Sequence, residues 1–464
     1  MTVGNVATLY YTQEETGETT VYAVAGNVMV PIKVTVTDAP QPATDVIYVS
    51  TSGNDNNPGT YEAPVATIAK AVELASAENA EGVVIVEAGV YNENGIVINS
   101  PHAISITGNG TVIIRGNNHD VNGNGAGLVI GAVSDSTSIM IVNTTEDVLI
   151  KNLQFADNIA ANGGAILINA DNSRTLKTVN VTIEDCSFEN LQGRDGGAVY
   201  GTYLNGSVSI INSNFTANKA TSWGGAVSME YSAYDNDCLK FEVINSNFAN
   251  NTANNGGALY LMAQDITIKD CTIVNNNATY YPGALYLQNC TALINNTVIA
   301  NNSARYDKAA IAIHGATIDY QTREVNPSNV VITNCIIENN IGRDRTAPAI
   351  YLENSRLNMS YSSVVNDMNI NNTVTATYGD EKPGLVLINN NWWGTNDPSS
   401  TIFGTNITMD NWVIMNVEAN ATNVLPGDEV KLTVDFNHIM TSAGEIEELT
   451  GGTIPKEAYT VSFA

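Results

Sequence analysis

Aromatic side chains recur at one position of a repeated strand: Tyr200, Tyr260, Tyr286 and Tyr351 each stand between two apolar residues in a pattern of period two. Residues in that phase point away from the apolar side of a strand, so the four rings predict one outward ladder, with Leu167, Ser228 and Ala312 at its other positions. The turn leading into each strand carries related chemistry: Trp223, then Tyr280 and Tyr281, then Arg305, Tyr306 and Asp307, then Arg343 and Asp344. Aromatic faces stack on sugar rings, and polar groups beside them fix hydroxyls. Rings repeated about every 4.8 Å would suit an extended glycan. The competing reading is that tyrosine on an exposed strand pairs with its neighbours and needs no ligand.

Catalysis asks for more. Hydrolysis of a glycosidic bond wants two carboxyls facing one groove about 5 to 10 Å apart, and lyase chemistry wants a base, usually with Ca²⁺ held by several carboxylates. Asp195, Asp307 and Asp344 occupy comparable turns, but Asp195 lies four coils from Asp307. Only Asp307 and Asp344 are close, and Arg305, Lys308, Arg343 and Arg345 crowd them, which reads as a surface ion-pair patch. His102, His119, His314 and His438 are scattered without metal-ligand spacing. Asp55 and Asn56 could hold Ca²⁺, but Asx turns are the preferred account of them. No catalytic residue, metal or cofactor is assigned.

These positions belong to a repeat running over residues 147–393. Aligning its apolar strand puts Phe155, Phe188, Phe215, Phe248, Ile273, Ile299, Ile337, Val365 and Trp393 in one column, 25 to 38 residues apart. Two residues earlier stand Leu153, Cys186, Ser213, Ser246, Cys271, Thr297, Cys335, Ser363 and Asn391. Three residues later stand Asn158, Asn218, Asn251, Asn276, Asn302 and Asn340, interrupted by Leu191. A Gly-Gly-Ala turn and a further strand complete the unit. Periods in this range signal a solenoid, and alternation within each segment makes the segments strands. One coil cannot bury its own apolar residues, so coils must stack, which predicts a parallel β-helix. The Asn column predicts a ladder of stacked amides.

Formal net charge is −28 with only 14% charged residues. Such a surface lacks the basic stripe that tracking a nucleic-acid backbone requires. No run is apolar and long enough to insert in a membrane, and no signal peptide follows Met1. Export therefore has to be inferred, and the chain reads as a piece of something longer. Of the five cysteines, Cys186, Cys271 and Cys335 share a column two or three coils apart, too far to bridge. They read as buried thiols, while the states of Cys238 and Cys290 stay open.

The segment IYVSTSGNDNNPGTYEAPVATIAKAVELA, with GVVIVEAGVY after it, resembles the opening of pectin-lyase-like right-handed β-helix proteins. Within it, Thr67 is a predicted N-cap for a helix over residues 68–77, whose apolar face Ile68, Ala71, Val72 and Ala75 would plug the open end of the solenoid. The units FADN, FTAN and FANN, followed by Gly-Gly-Ala, resemble repeats of polymorphic outer-membrane proteins. Together with NNWWGTNDP they look more like the adhesin-like β-helix proteins of methanogenic archaea. The resemblance covers residues 46 to about 410. It implies a cell-surface, extracellular protein whose partners are glycans or surface proteins of another cell, and right-handed coiling, which periodicity alone does not fix. At the ends, TTVYAVAG and PIKVTVTD resemble the second half of a bacterial Ig-like repeat, and VEANATNVLPGDEVKLTVDF the first half.

The resulting expectation is an all-β chain: residues 1–38 the C-terminal part of an Ig-like sandwich, 39–45 a linker, 46–410 a right-handed parallel β-helix with its capping helix, and 411–464 the N-terminal part of another sandwich. The two partial sandwiches are expected at opposite ends, with exposed sheet edges. The expected function is non-catalytic adhesion or glycan binding. The alternatives are a polysaccharide lyase or glycoside hydrolase of the same fold, and a passive stalk.

Overall fold

The computed structural model describes residues 17–25, 28–36, 46–116, 138–169, 177–230, 239–262, 265–306, 310–319, 324–342, 347–366, 368–373 and 385–456. The expected strand over residues 6–11 and Cys238 lie outside them. So do the site candidates Asp307, Arg343 and Asp344.

Each coil of the repeat is short strands separated by bends. One runs Leu239–Ile244, Asn247–Ala249, Thr252–Ala253 and Leu259–Leu261. Every strand pairs in parallel with its counterpart in the next coil, giving a 21-stranded sheet from the first two segments, a five-stranded sheet from the third and an 11-stranded sheet from the last. The chain is a parallel β-helix.

The bends follow from residue type. Asn152, Asp185, Asn212, Asn245, Asp270, Asn296 and Asn334 all have φ near +50°, and so do Asp157, Asn190, Asn250, Asn275, Asn301 and Asn339 just after the apolar column. Asn and Asp tolerate this left-handed region better than other residues with a side chain. The first glycine of Gly-Gly-Ala supplies a further bend: at Gly196, φ is +61° and an added Cβ would sit 2.1 Å from the Val199 carbonyl oxygen.

The apolar column holds its register through Phe188, Phe215, Phe248, Ile273, Ile299 and Ile337. Its next member is Val364, not Val365, and the small column continues through Ser362, not Ser363. The run Ser-Ser-Val-Val offers two equivalent phases, and the left-handed bend at Tyr361 selects one. Val364 is fully buried, while Val365 packs against the C-terminal strands. Inside, Phe155, Phe188, Phe215 and Phe248 stack with centroids 5.0, 4.4 and 4.7 Å apart and planes within 8° of parallel.

The Asn column is a hydrogen-bonded ladder, as expected. Asn251 Nδ2 donates to Asn276 Oδ1 at 3.0 Å and to the Phe215 carbonyl at 3.0 Å, and Asn276 and Asn302 repeat the arrangement. The small column is also bonded: Ser213 Nα donates to Ser246 Oγ, and Cys335 Nα to Ser362 Oγ, both at about 3 Å. Cys186, Cys271, Cys290 and Cys335 are free buried thiols. Burial raises the first to about 12 and the second to about 11.

Between Phe155 and Ala349 coil length varies mainly in one place. From the column residue to the alanine of the next strand the count barely changes, Phe155 to Ala165 against Ile337 to Ala349, although the same stretch is longer in the coil before, Ile114 to Ile139, and shorter in the coil after, Val364 to Asn369. From that alanine to the next column residue it changes widely, Ala258 to Ile273 against Ala310 to Ile337. In the longest case the addition includes an antiparallel hairpin, Ala316–Asp319 with Glu324–Asn326.

The helix Ile68–Ala75 caps the N-terminal end, with Thr67 Oγ1 accepting from Lys70 Nα at 3.1 Å and the expected face of Ile68, Ala71, Val72 and Ala75 buried. The strands Gly17–Ala25 and Val28–Val36 form an antiparallel pair. Asn411–Ala419, Leu432–Thr441 and Ile446–Glu448 form a three-stranded antiparallel sheet. That sheet is not free-standing: Phe436, Ile439, Val413 and Ile454 pack on Trp392 and Ile336 of the solenoid, with Trp392 and Phe436 edge to face at 5.0 Å. The NNWWGTND segment holds it there, since Asn396 Oδ1 accepts from Met415 Nα at 2.7 Å and Trp412 Nε1 donates to the Asn396 carbonyl at 2.9 Å.

Candidate ligand-binding face

The last strand of each coil places one residue per coil in an outward column. Its register runs Leu167, Tyr200, Ser228, Tyr260, Tyr286, Ala312, Tyr351, as the sequence pattern predicts. Where the column is small, rings from other positions fill in. Trp223, expected in a turn but in fact the last residue of the strand Lys219–Trp223, stacks on Tyr260 at 5.3 Å, and His314, two residues past Ala312, stacks on Tyr286 at 5.0 Å. With Tyr260 on Tyr286 at 4.6 Å and His314 tilted against Tyr351 at 5.7 Å, the outer aromatic run reads Trp223, Tyr260, Tyr286, His314, Tyr351. His314, which sequence spacing left among scattered histidines, is thus part of the face. Its Nδ1 lies 3.1 Å from Glu353 Oε2.

Exposure corrects the simple picture of an open ladder. Tyr200 and Tyr260 are only 6% and 7% exposed, and burial raises the hydroxyl pKa of Tyr200, Tyr260 and Tyr286. Tyr286, Tyr351, Trp223 and Tyr281 are partly exposed. The open rings are in the turn: Tyr280 is 47% exposed and stacks on Tyr306 at 5.5 Å, with the Arg305 guanidinium 5.9 Å from the Tyr306 centroid. The face is therefore a largely buried ring run with an open aromatic rim in the neighbouring turn. The Arg343 and Asp344 end of that rim is outside the described residues.

Beside Tyr200 sits a polar cluster that sequence reasoning missed. Asp195 pairs in register with Trp223 and is 1% exposed. Its Oδ2 accepts from Arg194 Nε at 2.7 Å, while Oδ1 is buried without a hydrogen-bond partner. Ser228 Oγ and Glu230 Oε1 are likewise buried and unpartnered. Glu230 follows Ser228 by two residues on the same strand, hence the same face, and its carboxyl hydrogen-bonds the Tyr200 side chain. Burial first, then the nearby charge of Asp195, pushes Glu230 up to about 7. Burial also raises Asp195, against the opposing pull of Arg194. The available signal was the second outward column of these strands, which holds Thr202, Glu230, Gln288, His314 and Glu353.

Other candidates resolve as structure. Asp55 accepts from Ala66 Nα, Thr67 Nα and Thr67 Oγ1, so it braces the cap of the helix. Glu93 accepts from Ile68 Nα at 2.8 Å and Ala69 Nα at 3.0 Å, satisfying two more amides of the helix's first turn. A shallow cleft of about 290 Å³, bordered by Glu81, Asp147 and Asn180, lies on the other large sheet, away from the aromatic run. Among the described residues no group of three His, Cys, Asp or Glu side chains could hold a metal ion, and no helix is long and apolar enough to cross a membrane.

A family model described as a right-handed β-helix region matches residues 137–325. The fold is accordingly a right-handed parallel β-helix, all-β in class. Solved structures similar to the chain include a rhamnogalacturonan lyase, at 16% identity and TM-score 0.36 over 76% of this chain and 87% of that one. A pectate lyase is similar at 13% identity and TM-score 0.33 over 78% of each chain. Both likenesses are distant. No curated protein matches the sequence.

Proposed function

We propose that this β-helix is an adhesin-like cell-surface protein that binds extended glycans along its aromatic face without cleaving them. The observation that carries the reading is the pairing of a stacked aromatic run at coil spacing with an open rim of Tyr280, Tyr306 and Arg305. The buried rings fix the face, and the rim offers the surface on which a sugar can stack. A net charge of −28 disfavours polyanionic ligands and leaves neutral or cationic glycans.

On a glycan array, the double variant Tyr280→Ala with Tyr306→Ala is expected to lose roughly tenfold in signal, and Tyr200→Ala much less. Full signal from the double variant would remove the rim as the site. A polysaccharide-cleaving enzyme is the second reading, favoured by the paired carboxyls of Asp195 and Glu230 with Glu230 near neutrality. New reducing ends or unsaturated products from any polysaccharide would put it first. Silence in both assays would leave a stalk.

A further inference from the structure

The cluster at the head of the ring run is incomplete in a specific way. Asp195 Oδ1, Ser228 Oγ and Glu230 Oε1 are three buried oxygens without partners. Leaving such atoms unpaired costs about 1–3 kcal/mol each, so a native protein does so where something else supplies the bond. Arg194 Nε is committed to Asp195 Oδ2 and the Tyr200 side chain to Glu230, Ser222 and the Trp223 backbone also bond Asp195, and the uncommitted Ser228 hydroxyl brings one hydrogen for two carboxyl oxygens. The charges balance only while Glu230 keeps its proton: with both carboxyls ionised, one guanidinium faces two carboxylates, with Tyr200 and Tyr260 as the other titratable groups beside them.

The missing group must therefore be rich in donors, no larger than a water molecule where it meets these oxygens so that a small shift of the surrounding side chains admits it, and positively charged if both carboxyls are to be ionised. A hydroxyl or an acetamido nitrogen brings one hydrogen. A primary ammonium brings three, with a positive charge. The next features along the face are the Trp223 indole and the Tyr260 ring it stacks on, which offer a sugar an aromatic edge.

We infer that Asp195, Ser228 and Glu230 form a subsite for the protonated amine of an amino sugar, making the glycan of the preceding section one that contains unacetylated hexosamine. This rests on the glycan-binding reading. Seating the ammonium requires the ionised carboxylate, so binding near pH 7 would drive the proton off Glu230.

The test is isothermal titration calorimetry with a glucosamine hexamer and its fully N-acetylated counterpart, against the native chain, Glu230→Gln, and Glu429→Gln. Glu429 is an exposed residue of the C-terminal region, and its variant makes the same change in net charge away from the subsite. The free-amine hexamer is expected to bind the native chain and Glu429→Gln roughly tenfold more tightly than the acetylated one, with the ratio falling to about one in Glu230→Gln. Titration in buffers of different ionisation enthalpy should show proton release in the native chain and none in Glu230→Gln. The inference is overturned if both hexamers bind the native chain equally, if neither binds, or if the preference survives in Glu230→Gln as a general attraction to an acidic surface. Glycan-array binding that depends on Tyr280 and Tyr306 would leave the broader reading standing in each case. Near-UV circular dichroism, which reads the Trp223–Tyr260 stack, confirms that Glu230→Gln is folded.

Discussion

Two aromatic ladders climb this solenoid at the same pitch, and they are built differently. The inner one takes the same residue type from the same column in four successive coils, and its planes stay within 8° of parallel. The outer one borrows Trp223 from the end of a strand in the neighbouring five-stranded sheet, Tyr260 and Tyr286 from mid-strand and His314 from a strand end, and its tilt grows from 14° to 40°. Uniform columns make a core because every ring meets an identical neighbour in a dry space. The outer run leaves edges, gaps and polar neighbours, and those are what a ligand could use.

The largest break in the comparison comes from inside. Phe215→Ala removes a ring stacked on both faces and should cost about 3–5 kcal/mol, read as a lower urea midpoint. Tyr260→Ala, though its ring is also stacked on both sides, sits at an edge the site can relax around and should cost less than half as much. Equal losses would mean that the two ladders are energetically one kind of structure.

Next is the amide ladder. Asn276→Ala leaves the Asn251 backbone N–H and the Phe248 carbonyl without this partner and removes one of the two acceptors of the Asn251 side-chain amide, for an expected loss of roughly 2–4 kcal/mol. A change below half a kcal/mol would show that water replaces the amide.

The smallest effect separates the ladders by pH. Glu230 titrates near 4.5 in the unfolded chain and about 7 in the folded one. The folded state therefore binds the extra proton between those values, and stability from this group falls as pH rises through that window, then levels off. The loss should be on the order of 1–3 kcal/mol, so Glu230→Gln gains on the native chain between about pH 5 and about pH 8 in paired urea melts. Phe215→Ala should show no such pH-dependent difference.

What could be read from sequence tracks how strictly a position repeats. The apolar and Asn columns were legible because packing demands a large apolar residue in coil after coil and amide bonding an asparagine in all but the coil of Leu191. The phase at Val364 was not, because two serines and two valines fit either way until the backbone bend at Tyr361 chooses. Left-handed Asn and Asp residues flanking the apolar column were visible but unread, since surface asparagine is common in this chain. The cluster at Asp195 and Glu230 was hidden for a different reason: its members lie 35 positions apart, at the ends of strands in two different sheets, and only the stacking of coils brings them together. Exposure was misjudged because alternation says which way Tyr200 and Tyr260 point and nothing about what covers them.

Between Phe155 and Ala349 length variation is concentrated in the stretch after the Gly-Gly-Ala strand, and this has an evolutionary consequence. That stretch follows directly on the strand bearing the outer tyrosines, so residues gained or lost there alter the border of the proposed ligand-binding face while the stacked interior keeps its count. Loop extension costs little free energy. Recognition can thus diversify by insertion, coil by coil, on a scaffold whose own folding rules stay unchanged.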